Sequence, residues 1–263
     1  MVGVERARGA VLGCWPMAIE RDAAIEHVLD NGDEWQSWRA LRLSGDDAGP
    51  PPELPAQDGA GGFIGPGGRV SPGATGEGIC HFVIMGLASS GPAVVAADWL
   101  DEQQTPAKAW LDSPSEIPGE LDTHAAGRVW ATASASCALL AVGRDPGPRA
   151  IDLLRGEADQ DGRFTGGAYP TFAAAGAYWL AEGPKTEMAE WALRWAREME
   201  EDWWGPWEWA TALTFWGAAG IPIENASVDL FIDRLRDAAR PRGWPDDLGL
   251  TLRTLELFAR FGA

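Results

Sequence analysis

Lysine is almost missing from this 263-residue chain: it occurs only at Lys108 and Lys185, so nearly all cationic charge is arginine. Cations as a whole are scarce. Twenty-one Lys and Arg stand against 39 Asp and Glu, a formal net charge of −18. Phosphate backbones and anionic bilayers are held by basic surfaces, so neither nucleic acid nor anionic membrane is an expected partner. Cys14, Cys80 and Cys137 are three in number and show no Cys-x-x-Cys spacing, which predicts a reducing compartment. No apolar run approaches the roughly 20 residues that span a bilayer. The opening "MVGVERARGAVLGCWPM" lacks the long apolar core of a secretory signal. The expectation is a soluble, cytoplasmic protein.

What the chain does have is tryptophan, 15 residues of it, and a repeat. Phe164, Trp204 and Trp244 fall 40 residues apart, and so do Thr171, Thr211 and Thr251, each seven residues after its aromatic. A small or apolar run follows each threonine: "TFAAAGAYWL", "TALTFWGAAG", "TLRTLELFARFG". Two features locked to one period of this length indicate stacked supersecondary units that bury their apolar faces on one another. Each unit reads as two helices. The first is amphipathic and charged, as in "KTEMAEWALRWAREMEED"; the second is rich in Ala, Gly and aromatics with few charges. A helix with a polar face lies outside and one with little polar surface lies inside. Small, nearly uncharged inner helices fit a closed ring better than an open array.

The first 43 residues read as helical with a break at Asn31-Gly32, and there the register is lost. Residues 44–75 are about half Gly and Pro and read as loop, with "GGF" at 61–63 as the first unit's Gly–aromatic signal. Trp110 to Thr132 is 22 residues rather than seven, and the extra stretch carries Asp112, Glu116, Glu120 and Asp122. Loops 44–75 and 111–122 both join an outer to an inner helix. They are therefore expected at one end of the barrel, as a lid over a binding face.

The units "WLDEQQTPAKAW", "LLRGEADQDGRF" and "RLRDAARPRGW", each followed by a Thr-Ala or Thr-Leu type helix, resemble the repeats of squalene–hopene cyclases and protein prenyltransferase β subunits. The resemblance covers about residues 92–262. It implies an all-α fold, a single α/α toroid of about five helix pairs. It also implies an apolar, isoprenoid-like small molecule as the partner. The complement thioester domain shares the toroid, but its Gly-Cys-Gly-Glu-Gln is absent, Cys14 standing in "GCWPM".

In class II terpenoid cyclases an Asp-x-Asp-Asp-Thr-Ala motif protonates the substrate. The corresponding slot before Thr251 holds Asp247, Leu248, Gly249 and Leu250, with Gly249 at the catalytic middle position. The slot before Thr211 holds Glu208. Glu208, Asp247 and Asp246 are thus the acid candidates, although Asp246 and Asp247 serve equally as caps of the last inner helix. Trp130, Tyr169 and Trp209 each stand two before a threonine and should form an arc, with Phe172, Phe215 and Trp216 deeper. An aromatic wall holds an apolar ligand, and each ring stabilises a carbocation by about 1–2 kcal/mol when desolvated; the same rings also serve simply as core. Glu77, Arg253 and Glu256 read as one cluster, either an ion pair or a general acid in an apolar cavity. The prenyltransferase zinc set is not matched: Cys80-His81 is adjacent, His27 and His124 stand apart, and no Asp-x-Cys occurs. No metal or cofactor is expected, and no Gly-rich strand–loop–helix motif offers a phosphate site.

Overall fold

The computed structural model describes residues 19–54, 56–118, 123–199 and 203–263. Among these the chain forms eleven α-helices and one 3-10 turn, with only isolated β-bridges besides. Helices α1 (Arg21–Asn31) and α2 (Glu34–Ser44) open it, split at Gly32-Asp33 close to the break the sequence predicts. Asp33 and Gln36 form a reciprocal capping box at the start of α2, and Gly45 ends it in the left-handed region at φ 87°. Next come α3 (Pro72–Ile84), α4 (Gly91–Gln103), α5 (His124–Ala141) and α6 (Pro148–Arg155). The rest are α7 (Ala168–Glu182), α8 (Glu187–Glu198), α9 (Pro206–Ala218), α10 (Ala226–Ala238) and α11 (Leu248–Phe261). Helix α3 starts inside the stretch expected to be loop, because Ser71 accepts from Ala74 N and Pro72 supplies a helical φ at the first position. Cys14, Glu120 and Asp122 lie outside the described residues.

The predicted division of labour holds. Helices α3, α5, α7 and α9 are buried along most of their length, and α6, α8 and α10 are amphipathic. The inner helices pack in sequence, α3 on α5, α5 on α7, α7 on α9 and α9 on α11, and α3 also meets α9 and α11. Helices α1 and α2 lie against α11, so the segment without repeat register covers the last inner helix.

The forty-residue period has a hydrogen-bonding cause. The Phe164 amide donates to Thr171 Oγ1 at 2.9 Å, and the Trp244 amide to Thr251 Oγ1 at 2.8 Å. The hydroxyls of Thr171 and Thr251 donate in turn to the carbonyls of Gly167 and Asp247, one turn back in their own helices. Thus each threonine satisfies an amide of the turn that feeds its helix, a group costly to bury unpaired. The irregular units obey the same rule: Phe63 donates to Thr75 and Trp110 to Thr132. The "GGF" signal is therefore a true unit start. Its turn, closed by the Gln57–Phe63 bridge, matches the later one closed by Ala158–Phe164.

The inner helices approach closely. A Cβ on Gly76 of α3 would stand 2.5 Å from the Ser134 backbone of α5, and one on Gly176 of α7 would stand 2.7 Å from Cys137 Sγ. Helix α9 also reaches across to α5. Packing this tight leaves the space between the helices filled.

Candidate functional site

The aromatic residues expected to line a barrel cavity do converge. Trp130 meets Tyr169 edge-on at 6.3 Å between ring centroids and Phe215 at 5.9 Å; Phe172 meets Tyr169 at 6.1 Å and Trp216 at 5.9 Å. They converge on each other rather than on a void. Trp130, Phe172, Phe215 and Trp216 have no accessible surface at all, so none of them borders a space that would admit even a water. Edge-to-face packing makes these rings core, which corrects the cavity-wall expectation. Tyr169 keeps 9% of its surface, and Trp209 is half-buried against the same core.

The acid candidates are engaged in capping. Glu208 accepts from the Gly205 amide at 2.8 Å and from the Tyr169 hydroxyl at 2.6 Å. Both its oxygens are thus engaged, one capping α9 and one holding Tyr169. Burial, with Glu208 beside it, pushes the Tyr169 phenol up, so it stays a donor. Asp247 caps α11, accepting from Leu250 N at 2.9 Å and from Trp207 Nε1 at 2.8 Å. Asp246 is exposed. None of the three stands beside an enclosed apolar space.

The expected Glu77–Arg253–Glu256 cluster is divided. Arg253 Nη1 donates to Glu77 Oε1 at 2.6 Å, while its guanidinium lies over the Trp207 ring. Glu256 is held instead by Arg39 of α2 and by His81 of α3, neither of which entered the sequence-based cluster. Arg39 donates from Nε to Oε1 at 2.8 Å and from Nη2 to Oε2 at 2.7 Å, and His81 Nε2 lies 2.6 Å from Oε2. Burial alone would raise the Glu256 carboxyl, but Arg39 and His81 outweigh it and bring it down to about 2. It is an ionised anchor and not the protonated acid considered above. Burial drives the His81 imidazole down to about 4 against the pull of Glu256, with Arg39 and Arg253 pushing the same way as burial. At neutral pH, then, His81 is uncharged and Arg39 is the cation that keeps Glu256 ionised.

A cleft adjoins this triad. It measures about 370 Å³ and runs between the loop after α2, helix α3 and helix α11. Its large apolar residues are Trp35, Leu54, Phe63, Ile64, Phe82 and Met85; its polar groups are Glu77, His81 and Arg253. Leu54, Ala56 and residues 63–66 of the loop after α2 form one side: Leu54 is buried, and Gln57 Nε2 donates to the carbonyls of Gly61 and Pro92. On the far side of the triad lies a smaller hollow of about 130 Å³ lined by Arg42, Leu43 and Ile84. The sequence held a signal for the larger site. Ala74, Glu77, Gly78, His81, Phe82 and Met85 follow the i, i+3, i+4, i+7 spacing of one helical face. That stripe mixes ionisable and apolar residues on a helix otherwise free of charge. The insertion after Trp110 does not line the cleft but packs on the loop that walls it. There Asp112 Oδ2 accepts from Ser71 Oγ and Gly73 N, and Glu116 accepts from Gly67 N.

No family model matches this sequence, and no curated protein matches it. Among the described residues, no helix is long and apolar enough to cross a membrane.

Proposed function

We propose that this protein is an α/α toroid that binds a small, largely apolar molecule in the α2–α3–α11 cleft. The circuit of inner-helix contacts, from α3 through α11 and back to α3, supports the toroid. The observation that carries the binding reading is the composition of the cleft. Six large apolar side chains surround three convergent polar ones in a space of about 370 Å³, within the roughly 300–1,000 Å³ usual for ligand sites. Perturbed titration of a lining residue, here His81, is a further mark of such sites. Cyclisation of a polyprenyl chain by protonation, the activity implied by the repeat resemblance, has weaker support: its acids cap helices and its aromatic wall is packed solid. Binding without turnover is the function the geometry favours.

Calorimetric titration with ten-carbon amphiphiles tests this. Saturable binding should appear in the wild type and in Phe172→Leu, which alters the aromatic core. It should vanish in Ala74→Trp, which fills the cleft from the half-buried Ala74 position on its wall. Binding that survives Ala74→Trp but is lost in Phe172→Leu would place the ligand in the core and overturn the proposal.

A further inference from the structure

Resting on that reading of the cleft, we infer that its ligand carries an uncharged hydrogen-bond donor, such as a hydroxyl, which it presents to Nδ1 of His81. The argument begins with Glu256. Gripped by both donors of Arg39, it is a carboxylate with no proton to give. The 2.6 Å contact between its Oε2 and His81 Nε2 therefore requires the proton to be on Nε2. The 3.3 Å approach of Arg39 Nη2 to the same nitrogen is then a contact between two donors, each with its proton directed at Glu256. In the uncharged ring, fixing the proton on Nε2 leaves Nδ1 as a bare acceptor. Nδ1 has no hydrogen-bond partner among the described residues, and it is not among the fully buried unpaired atoms. The His81 side chain keeps 14% of its surface and lines the cleft. His81 Nδ1 is thus the uncharged acceptor of a mostly apolar site, the other acceptor there being the Glu77 carboxylate that Arg253 holds.

Charge decides the rest. Arg253, the cation lining the cleft, is already paired with Glu77 at 2.6 Å, and Arg39 is committed to Glu256. The site is therefore close to electrically neutral. An anionic head such as a carboxylate or phosphate would be desolvated with no free cation to receive it, and would face the Nδ1 lone pair. An ammonium head would be desolvated beside Arg253, with the one lining carboxylate, Glu77, already paired. Both carry the cost of burying an unpaired charge. A hydroxyl loses little and satisfies Nδ1.

The test is calorimetric titration at pH 7.5 with 1-decanol, decyl methyl ether, decanoate, decyl phosphate and decylammonium. The alcohol should bind about fivefold or more tighter than the ether, which has no donor, and about tenfold or more tighter than any charged head. In His81→Phe the preference of alcohol over ether should disappear. The wild-type series decides the matter even if that variant does not fold. An ether that binds as well as the alcohol, or an anion that binds as well or better, overturns the inference while leaving the cleft as the site. No saturable binding by any of the five would remove the cleft reading itself.

Discussion

Arg39 holds Glu256 through two hydrogen bonds of 2.8 and 2.7 Å, with 7% and 5% of the two side chains exposed. The pair ties α2 to α11 across nearly the whole sequence and forms the floor on which His81 is oriented. A buried pair of this kind is costly to break from one side because the remaining charge is stranded. Arg39→Met should destabilise the protein by about 3–5 kcal/mol. Arg39→Met combined with Glu256→Leu should recover most of that loss. Urea unfolding of the two variants checks this, and a double variant no more stable than the single one would contradict it.

Acid should destabilise the protein in two steps. The His81 pKa is lowered on folding from 6.5 to about 4, so the unfolded chain takes up that proton first; the associated stability is complete above about pH 6.5 and is lost as pH falls toward 4. The Glu256 pKa is lowered from 4.5 to about 2, and its contribution is lost between those values. Each step is worth roughly 3 kcal/mol. Denaturation of wild type and His81→Leu between pH 8 and pH 3 should show a shallower decline between 6.5 and 4 in the variant. Parallel curves would refute the assignment.

Asp112 should act with the opposite sign. Burial raises its carboxyl from 3.8 to about 7, against the hydrogen bonds from Ser71 and Gly73, with Glu116 adding to the rise. A group whose pKa is raised by folding favours the folded state at low pH, and this is lost as pH rises from 3.8 toward 7. Asp112→Asn keeps an oxygen acceptor for Ser71 and Gly73 and removes the charge. It should be about 1–3 kcal/mol more stable than wild type at pH 8, with the difference gone by pH 4. A variant less stable at pH 8 would show that the charge is well accommodated.

The threonine relay predicts a sharp chemical distinction. Thr171→Val preserves shape but leaves the buried Phe164 amide without its acceptor, at a cost of about 1–3 kcal/mol. Thr171→Ser keeps the hydroxyl and should cost under about 1 kcal/mol. Thermal unfolding separates the two, and equal losses would mean that the methyl packing, not the hydroxyl, matters.

Much of the fold was legible because its period has a local cause. An amide seven residues upstream of a threonine needs an acceptor, and that need writes the spacing into the sequence. The inner and outer helices followed from their charge. The aromatic positions were read correctly as neighbours, but sequence periodicity gives direction and not distance. Whether Trp130 and Phe215 face a lumen or each other depends on how closely the inner helices approach, and that is set by small residues such as Gly76 and Gly176. The site was less legible. Arg39 and Glu256 are 217 positions apart, and Arg39 lies in the segment with no repeat register. Glu77 and Arg253 were paired correctly from their common offset to a threonine, as the 2.6 Å contact shows. By its adjacency to Cys80, His81 reads as a metal-ligand candidate. Its place in the stripe on α3 was the stronger clue.

Methyl NMR of methionine-labelled protein locates the ligand directly. Met85 lines the cleft, whereas Met188 of α8 is buried within the main hydrophobic core, outside the cleft lining. On titration with 1-decanol, the Met85 methyl resonance should shift and saturate while that of Met188 stays in place. Movement of Met188 with Met85 unperturbed would put the ligand in the core and contradict the cleft as the binding site.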